Sequence, residues 1–285
     1  MKDSPVPKQD TTRMIAMDID RTLLGDDRTV PGANVRAIAA AQQRGITVAL
    51  CSGRDRLSAA SVAKDVGEGF TMIVQNGALT LDAADEILDA QVLPTTAAIR
   101  ALSVVTNAGI SPVICGVHPN SHRIWCHKTE QPDEFFLGFR RKYGNEIIYL
   151  NDLAHALQHP VSQLEAFDEN QKVERVVDEL SQDPDLIGIP NRSGARADSS
   201  LLGVYSCGVS KESALARLAD HLGIAQEEVL AIGDNFNDMG MVSWAGVGVM
   251  VSNGPTEAQT VADWIAPSNN ESGVAAAIDR FVDLT

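Results

Sequence analysis

Apolar residues fall in short runs separated by amphipathic stretches, and their alternation predicts strands and helices in turn. Residues 14–17 form an apolar run ending in Asp18-Ile19-Asp20, and residues 46–50 form a second ending in Cys51-Ser52-Gly53-Arg54. Both have the length and composition of buried strands. Between them Pro31 is followed by Val35, Ile38, Ala39 and Ala41 at helical spacing, and Gly45 stands where a left-handed residue closes a helix. An Ala-rich helical stretch over residues 57–66 leads to a third strand at 72–74, which empties into Gln75-Asn76-Gly77. The rhythm returns near the end of the chain. Ser210 is suited to cap a helix carrying Leu215, Leu218 and Leu222, Gly223 to close it, and the run 229–232 to exit through Gly233-Asp234. A further apolar run follows at 247–251.

Strands alternating with helices at both chain ends imply an α/β fold, a Rossmann-like doubly wound parallel sheet whose ligands sit at the carboxyl ends of the strands. The middle of the chain changes character. From about residue 81 to 205 it holds most of the aromatics, and its charged segment 165–179 fits an amphipathic helix through Val173, Val176, Val177 and Leu180. This middle is expected to be an inserted α+β domain over residues 83–205, flanked by core segments 1–82 and 206–285. A length of 285 residues accommodates two such domains at roughly 150 residues each.

Composition narrows the partners. With 44% hydrophobic and 21% charged residues the chain is of the soluble globular class, and its formal charge of -15 repels polyphosphate backbones and anionic lipid surfaces. Nucleic acid and membranes are not expected partners. The polar N-terminus lacks the apolar segment of a secretory signal, so a cytoplasmic location is expected. Cys51, Cys115, Cys126 and Cys207 are widely separated and read as free thiols. His118, His122 and His127 cluster, but no metal-binding spacing accompanies them.

Four features carry chemistry, each directly after a strand or at a helix start. Asp18 and Asp20 are two apart, a spacing that in extended chain points both carboxylates into one pocket. Like charges so packed call for a cation or a shared proton. Gly233-Asp234-Asn235-Phe236-Asn237-Asp238 adds hard oxygen donors at the same sheet edge, a set that suits Mg²⁺. Ser52 and Gly53 offer a hydroxyl and backbone N–H groups that can hold phosphate oxygens. Lys211 adds a point charge for a phosphoryl group or a nucleophilic carboxylate. Taken singly, each also fits a plainer role: strand-end acids, a helix-capping acidic turn, a strand-to-helix turn, a solvated lysine. Their recurrence in this order is what points to one site.

The chain resembles the haloacid dehalogenase superfamily, and within it the Cof-type phosphatases with a large α/β cap. The resemblance rests on DIDRT from Asp18 to Thr22, CSGR from Cys51 to Arg54, VSK ending at Lys211 and GDNFND from Gly233 to Asp238. Related segments are QNGA at 75–78 and SNNESGVA at 268–275. The resemblance implies that Asp18 is a nucleophile forming an aspartyl-phosphate and that Asp20 is the acid and base, in a site that favours its protonated form. It also implies Mg²⁺ held by the Asp18 side chain, the Asp20 backbone carbonyl and Asp234, with Asp238 or Asn237 in support. Ser52, Gly53, Arg54, Lys211 and Asn237 would bind the substrate, a small phosphomonoester such as a sugar phosphate or similar metabolite. Residues 118–127 or 192–196 of the inserted domain would set specificity. The alternatives are a phosphohexomutase-like phosphotransferase and a non-catalytic or receiver-like phosphate-binding protein.

Two positions depart from the subgroup's pattern. Arg21 stands where glycine is usual, and a positive φ there would strain it by roughly 1–2 kcal/mol. Its guanidinium is expected to approach the inserted domain or a second anionic group of the substrate, or else to face solvent. Gln259 stands where many relatives have lysine, which bears on a peripheral contact.

Overall fold

The computed structural model describes residues 11–117, 123–128, 134–192 and 198–284. His118 and His122 of the histidine cluster, and residues 193–196 of the second candidate specificity segment, lie outside them. The chain divides into two compact units, Ala90–Val209 and the segments on either side of it.

In chain order the first core segment holds β1 (Met14–Asp18), α1 (Gly32–Gln43), β2 (Thr47–Cys51), α2 (Arg56–Val66), β3 (Thr71–Val74), β4 (Leu79–Leu81) and β5 (Ile87–Ala90). The inserted unit follows with α3 (Thr95–Asn107), β6 (Val113–Gly116), β7 (Arg123–Cys126), α4 (Glu134–Tyr143), β8 (Ile147–Tyr149), β9 (Val161–Glu169), α5 (Asn170–Leu180), β10 (Leu186–Arg192) and β11 (Ser199–Ser206). The chain then returns to the core as α6 (Lys211–Leu222), β12 (Val229–Gly233), α7 (Met239–Trp244), β13 (Val247–Val251), α8 (Thr256–Gln259), β14 (Trp264–Ala266) and α9 (Gly273–Phe281).

The core sheet runs β14-β13-β12-β1-β2-β3-β4-β5, parallel from β14 to β3. β1, β12 and β13 are buried along their whole length, as continuous apolar strands are when helices cover both sheet faces. Met14, Ala16, Ala231 and Met250 pack with Ala214, Leu215 and Leu218 of α6 and with Met241 and Val242 of α7. α1 and α9 pack against each other, tied by a bond from the Ala275 N–H to Asn34 Oδ1 at 2.9 Å.

Register then decides which residues meet. Asp18 pairs with Cys51, Met17 with Ile232, and Cys51 with Ile73. Because the strands are parallel, Asp18 comes level with Cys51, Ile73 and Gly233, and Ser52 and Gln75 follow one and two residues further on at the same edge. β1 has β2 on one side and β12 on the other, so the connections diverge there and open the crevice where such sheets hold ligands.

The inserted unit has a sheet of order β10-β11-β9-β6-β7-β8, antiparallel except for β7 with β8. Ile114, Trp125, Leu164, Ala166, Leu202 and Val204 share a core with Ala97, Ala101 and Val105 of α3 and Val173, Val176 and Leu180 of α5. The expected helix is therefore shorter than its charged segment. Residues 165–169 finish β9, laddered along their length to β11 and at Glu165 also to β6, and the helix begins only at Asn170. Alternate burial of Leu164 and Ala166 beside partly exposed Glu165 is the strand period hidden in that segment. All four cysteines are free thiols, and His127 Nδ1 lies 3.1 Å from the Leu150 carbonyl oxygen, a local structural contact.

Candidate active site

Asp18, the last residue of β1, is buried at the crevice. Lys211 meets it from the first turn of α6, with Nζ 2.5 Å from Asp18 Oδ1 and 2.6 Å from Asp238 Oδ1. Two local devices aim this lysine. Ser210 caps the helix as its sequence implies, its Oγ accepting from the Ser213 N–H at 3.0 Å while Ser213 Oγ accepts from the Ser210 N–H at 3.2 Å. Gly77, at φ 102, lies so close to Ser210 that a Cβ would come within 2.2 Å of its carbonyl oxygen, so only glycine lets the turn after β3 rest there. The other oxygen of Asp238 accepts from the N–H groups of Asp234 and Asn235, both at 3.1 Å. Both Asp238 oxygens are thus engaged, which curls the loop after β12 and turns Asp234 toward Asp18.

Asp18, Asp234 and Asp238 offer carboxylate oxygens all within 4.8 Å of one another, the one such cluster among the described residues. Three carboxylates against the single Lys211 ammonium leave two negative charges in a buried site. Burial pushes the Asp18 carboxyl well above the usual range; Lys211 opposes this, while Asp238 and Asp234 add to it. Burial, then Asp238, push Asp234 up to about 7, against the pull of Arg21 and Lys211. Burial works against the Lys211 ammonium, but Asp18 and Asp238 outweigh it and raise its proton affinity. Burial likewise pushes the Cys51 thiol up to about 12, so it is no nucleophile at neutral pH. A dication fits this site on two counts: hard oxygen donors, and a charge that cancels the excess.

These shifts predict a pH dependence. Between the ordinary carboxylate value of 3.8 and about 7, the folded protein holds a proton on Asp234 that the unfolded chain has lost. Stability of the metal-free protein therefore falls as pH rises through that window, and the full penalty is present above it. Millimolar Mg²⁺ should raise the thermal midpoint at pH 8 and have little effect at pH 5. Equal shifts at both values would contradict the charge argument.

Asp20 lies outside the buried cluster of three acids. β1 ends at Asp18 and an irregular turn follows over Ile19–Leu23, in which Asp20 is extended at φ -79 and ψ 121 and Arg21 left-handed at φ 62 and ψ 7. The Asp20 side chain is 55% exposed and is gripped at two points by Arg54, Nε to Oδ2 at 2.7 Å and Nη2 to Oδ1 at 2.6 Å. Ser52, the residue after Asp18's pairing partner Cys51, is buried, its Oγ accepting from the Arg54 N–H at 3.1 Å. Beside Gly53 stands the buried Asn76, whose side-chain Oδ1 accepts from Asn237 Nδ2 at 3.3 Å and whose backbone N–H donates to the Ser52 carbonyl at 3.0 Å. Thr22 Oγ1 donates to Asp234 Oδ1 at 3.3 Å. Thr22 and Asn76 lie in segments already singled out in the sequence, yet only the fold gives them a task. Gln259 Nε2 ties the carbonyls of Ser252 and Gly254 at 3.2 and 3.0 Å, bracing the loop after β13.

Residues 15–278 match the haloacid dehalogenase-like hydrolase family. The chain belongs to that family. Among curated family relatives, 5-amino-6-(5-phospho-D-ribitylamino)uracil phosphatase YcsE of Bacillus subtilis is 26% identical over 274 residues, spanning 95% of this chain and 96% of its own. Phosphoglycolate phosphatase of Methanopyrus kandleri is 26% identical over 272 residues, spanning 95% and 98%. A solved haloacid dehalogenase-like hydrolase from Bacteroides thetaiotaomicron superposes with a TM-score of 0.78 at 25% identity, over 94% of this chain and 99% of that one. The family and its curated relatives make this chain a phosphatase, with the parallel-sheet core and inserted domain expected from its alternating pattern. No helix among the described residues is long and apolar enough to cross a membrane.

Proposed function

We propose that the protein is a Mg²⁺-dependent phosphatase that hydrolyses a small phosphomonoester through an aspartyl-phosphate on Asp18. The observation that carries this reading is the Asp18 carboxylate at the mouth of the β1/β12 crevice, buried, 2.5 Å from Lys211 and within reach of Asp234. In the first step an Asp18 oxygen attacks phosphorus, the bond to the leaving alkoxide breaks, and Asp20 donates that alkoxide a proton. In the second, Asp20 takes a proton from water, the new hydroxyl attacks phosphorus, and the bond to Asp18 breaks to release phosphate. Arg54's grip orients Asp20 for the base half of this role, and donation in the acid half requires the grip to open.

Asp18, Asp234 and the Asp20 carbonyl would hold the metal. Asp238 acts from behind, since its own oxygens are occupied by Lys211 and two N–H groups. When bound, Mg²⁺ supplies positive charge to the transferring phosphoryl oxygens. Lys211 and Ser52 would face the same oxygens, an arrangement suited to a loose transition state that asks mainly for positioning and charge. Support for a small metabolite comes from the relatives, named for a phosphoribitylamino-uracil and for phosphoglycolate.

A panel of phosphorylated metabolites assayed for released phosphate, with and without Mg²⁺, tests the reading. Asp20→Asn should lower turnover at least about 10²-fold while leaving Mg²⁺ binding in place. Near-normal turnover in that variant would remove Asp20 from the mechanism.

A further inference from the structure

The turn that carries Asp20 is held in shape from outside itself. Arg21 lies in the left-handed region, φ 62 and ψ 7, a conformation disfavoured for any residue that bears a Cβ. Its carbonyl oxygen accepts from Asn253 Nδ2 at 2.8 Å, and its own Nη2 returns to the Asn253 carbonyl at 3.4 Å. Asn253 is in turn fixed, because its Oδ1 accepts from the Asn269 N–H at 2.8 Å. Asn269 is fully buried and donates Nδ2 to the Leu24 carbonyl at 2.9 Å and to Asp26 Oδ1 at 3.2 Å, on the far side of the same turn. Gly254, next to Asn253, packs so tightly on Asp234 that a Cβ would lie 2.0 Å from its carbonyl oxygen. One loop after β13 therefore braces both the turn after β1 and the loop after β12.

We propose that Asn253 is a positioning residue for phosphoryl transfer: its amide keeps Arg21 left-handed and so fixes where Asp20 stands relative to Asp18. The proposal rests on the reading of Asp20 as acid and base. Asparagine suits the task because one short side chain both donates, to Arg21, and accepts, from Asn269. Alanine removes both bonds, and aspartate removes the donor. Without the donor, a residue with a Cβ gains by leaving the left-handed region, and Asp20 moves with it. Glycine at position 21 has no such gain, so it should stay in place unaided.

The test combines Asn253→Ala with three residues at position 21: the native arginine, Arg21→Ala and Arg21→Gly. With an aryl phosphate ester and Mg²⁺, Asn253→Ala alone should lower kcat by about 10- to 10²-fold, the scale of an ångström-level misplacement, with KM changed little. Asn253→Asp should behave in the same way. Adding Arg21→Gly should restore kcat to near that of the Arg21→Gly single variant, whereas Arg21→Ala, which also lacks the guanidinium but keeps a Cβ, should not. Crystal structures of the same proteins read the clamp without reference to turnover. Position 21 should leave the left-handed region in Asn253→Ala and remain there when Arg21→Gly is added. An unchanged kcat in Asn253→Ala, equal losses in the glycine and alanine backgrounds, or a φ at position 21 that does not move in Asn253→Ala would overturn the proposal. Wild-type protein that releases no phosphate from any ester would instead refute the assigned reaction and leave the clamp to be judged from the structures.

Discussion

Asp18→Asn should abolish phosphatase turnover, lowering kcat by at least about 10⁴-fold, because the amide cannot form the aspartyl-phosphate. The same change should make the metal-free protein more stable at pH 8. Asp18 is buried among Asp234, Asp238 and Lys211, and its carboxyl is pushed up because the fold disfavours its ionised form, even with Lys211 beside it. A neutral isostere removes that penalty, so the unfolding midpoint rises while activity disappears. Opposite signs in the two measurements mark a residue whose cost to the fold is retained for chemistry. Unchanged turnover would rule out Asp18 as nucleophile, and a lower midpoint at pH 8 would contradict the charge accounting.

Lys211→Met should have the largest effect on stability, a loss of about 3–5 kcal/mol in denaturant titrations near pH 8, together with loss of turnover. The ammonium is 1% exposed and bonds both Asp18 and Asp238, so its removal leaves carboxylates buried without their cation. Two comparisons separate this cause from lost packing, since methionine fills much of the same space. Adding Asp238→Asn to Lys211→Met should recover part of the loss by removing one stranded charge. Measuring at pH 5 should also shrink the deficit, because the buried carboxyls then take up protons. A deficit independent of both would assign Lys211 a packing role instead.

The local layout of the core was legible in the chain. Apolar runs at 14–17, 229–232 and 247–251 are strands buried on both faces, and Ser210 and Gly223 bound α6 as their types imply. These features depend on near neighbours, where side-chain period and backbone preference act directly. Segment 165–179 misled because charge masked its strand half. The two-residue period of β9 means little until β6 and β11 supply ladders on both sides.

For the site, the amino-acid order by itself determined the residue types and their attachment to strand ends: Asp18 after one run, Ser52 after another, Asp234 after a third, Lys211 at a helix start. Only the tertiary structure decided how they are shared out. Parallel register brings Asp18 level with Cys51, the residue before Ser52, and with Gly233, and burial together with Asp238 makes Lys211 a partner of two acids rather than a solvated side chain. The grip of Arg54 on Asp20, and the brace from Asn253 to Arg21 across 232 residues of chain, depend on bonds between distant segments. Such bonds leave no periodic trace in the sequence, because each needs only one donor and one acceptor brought together by the packing of everything between them.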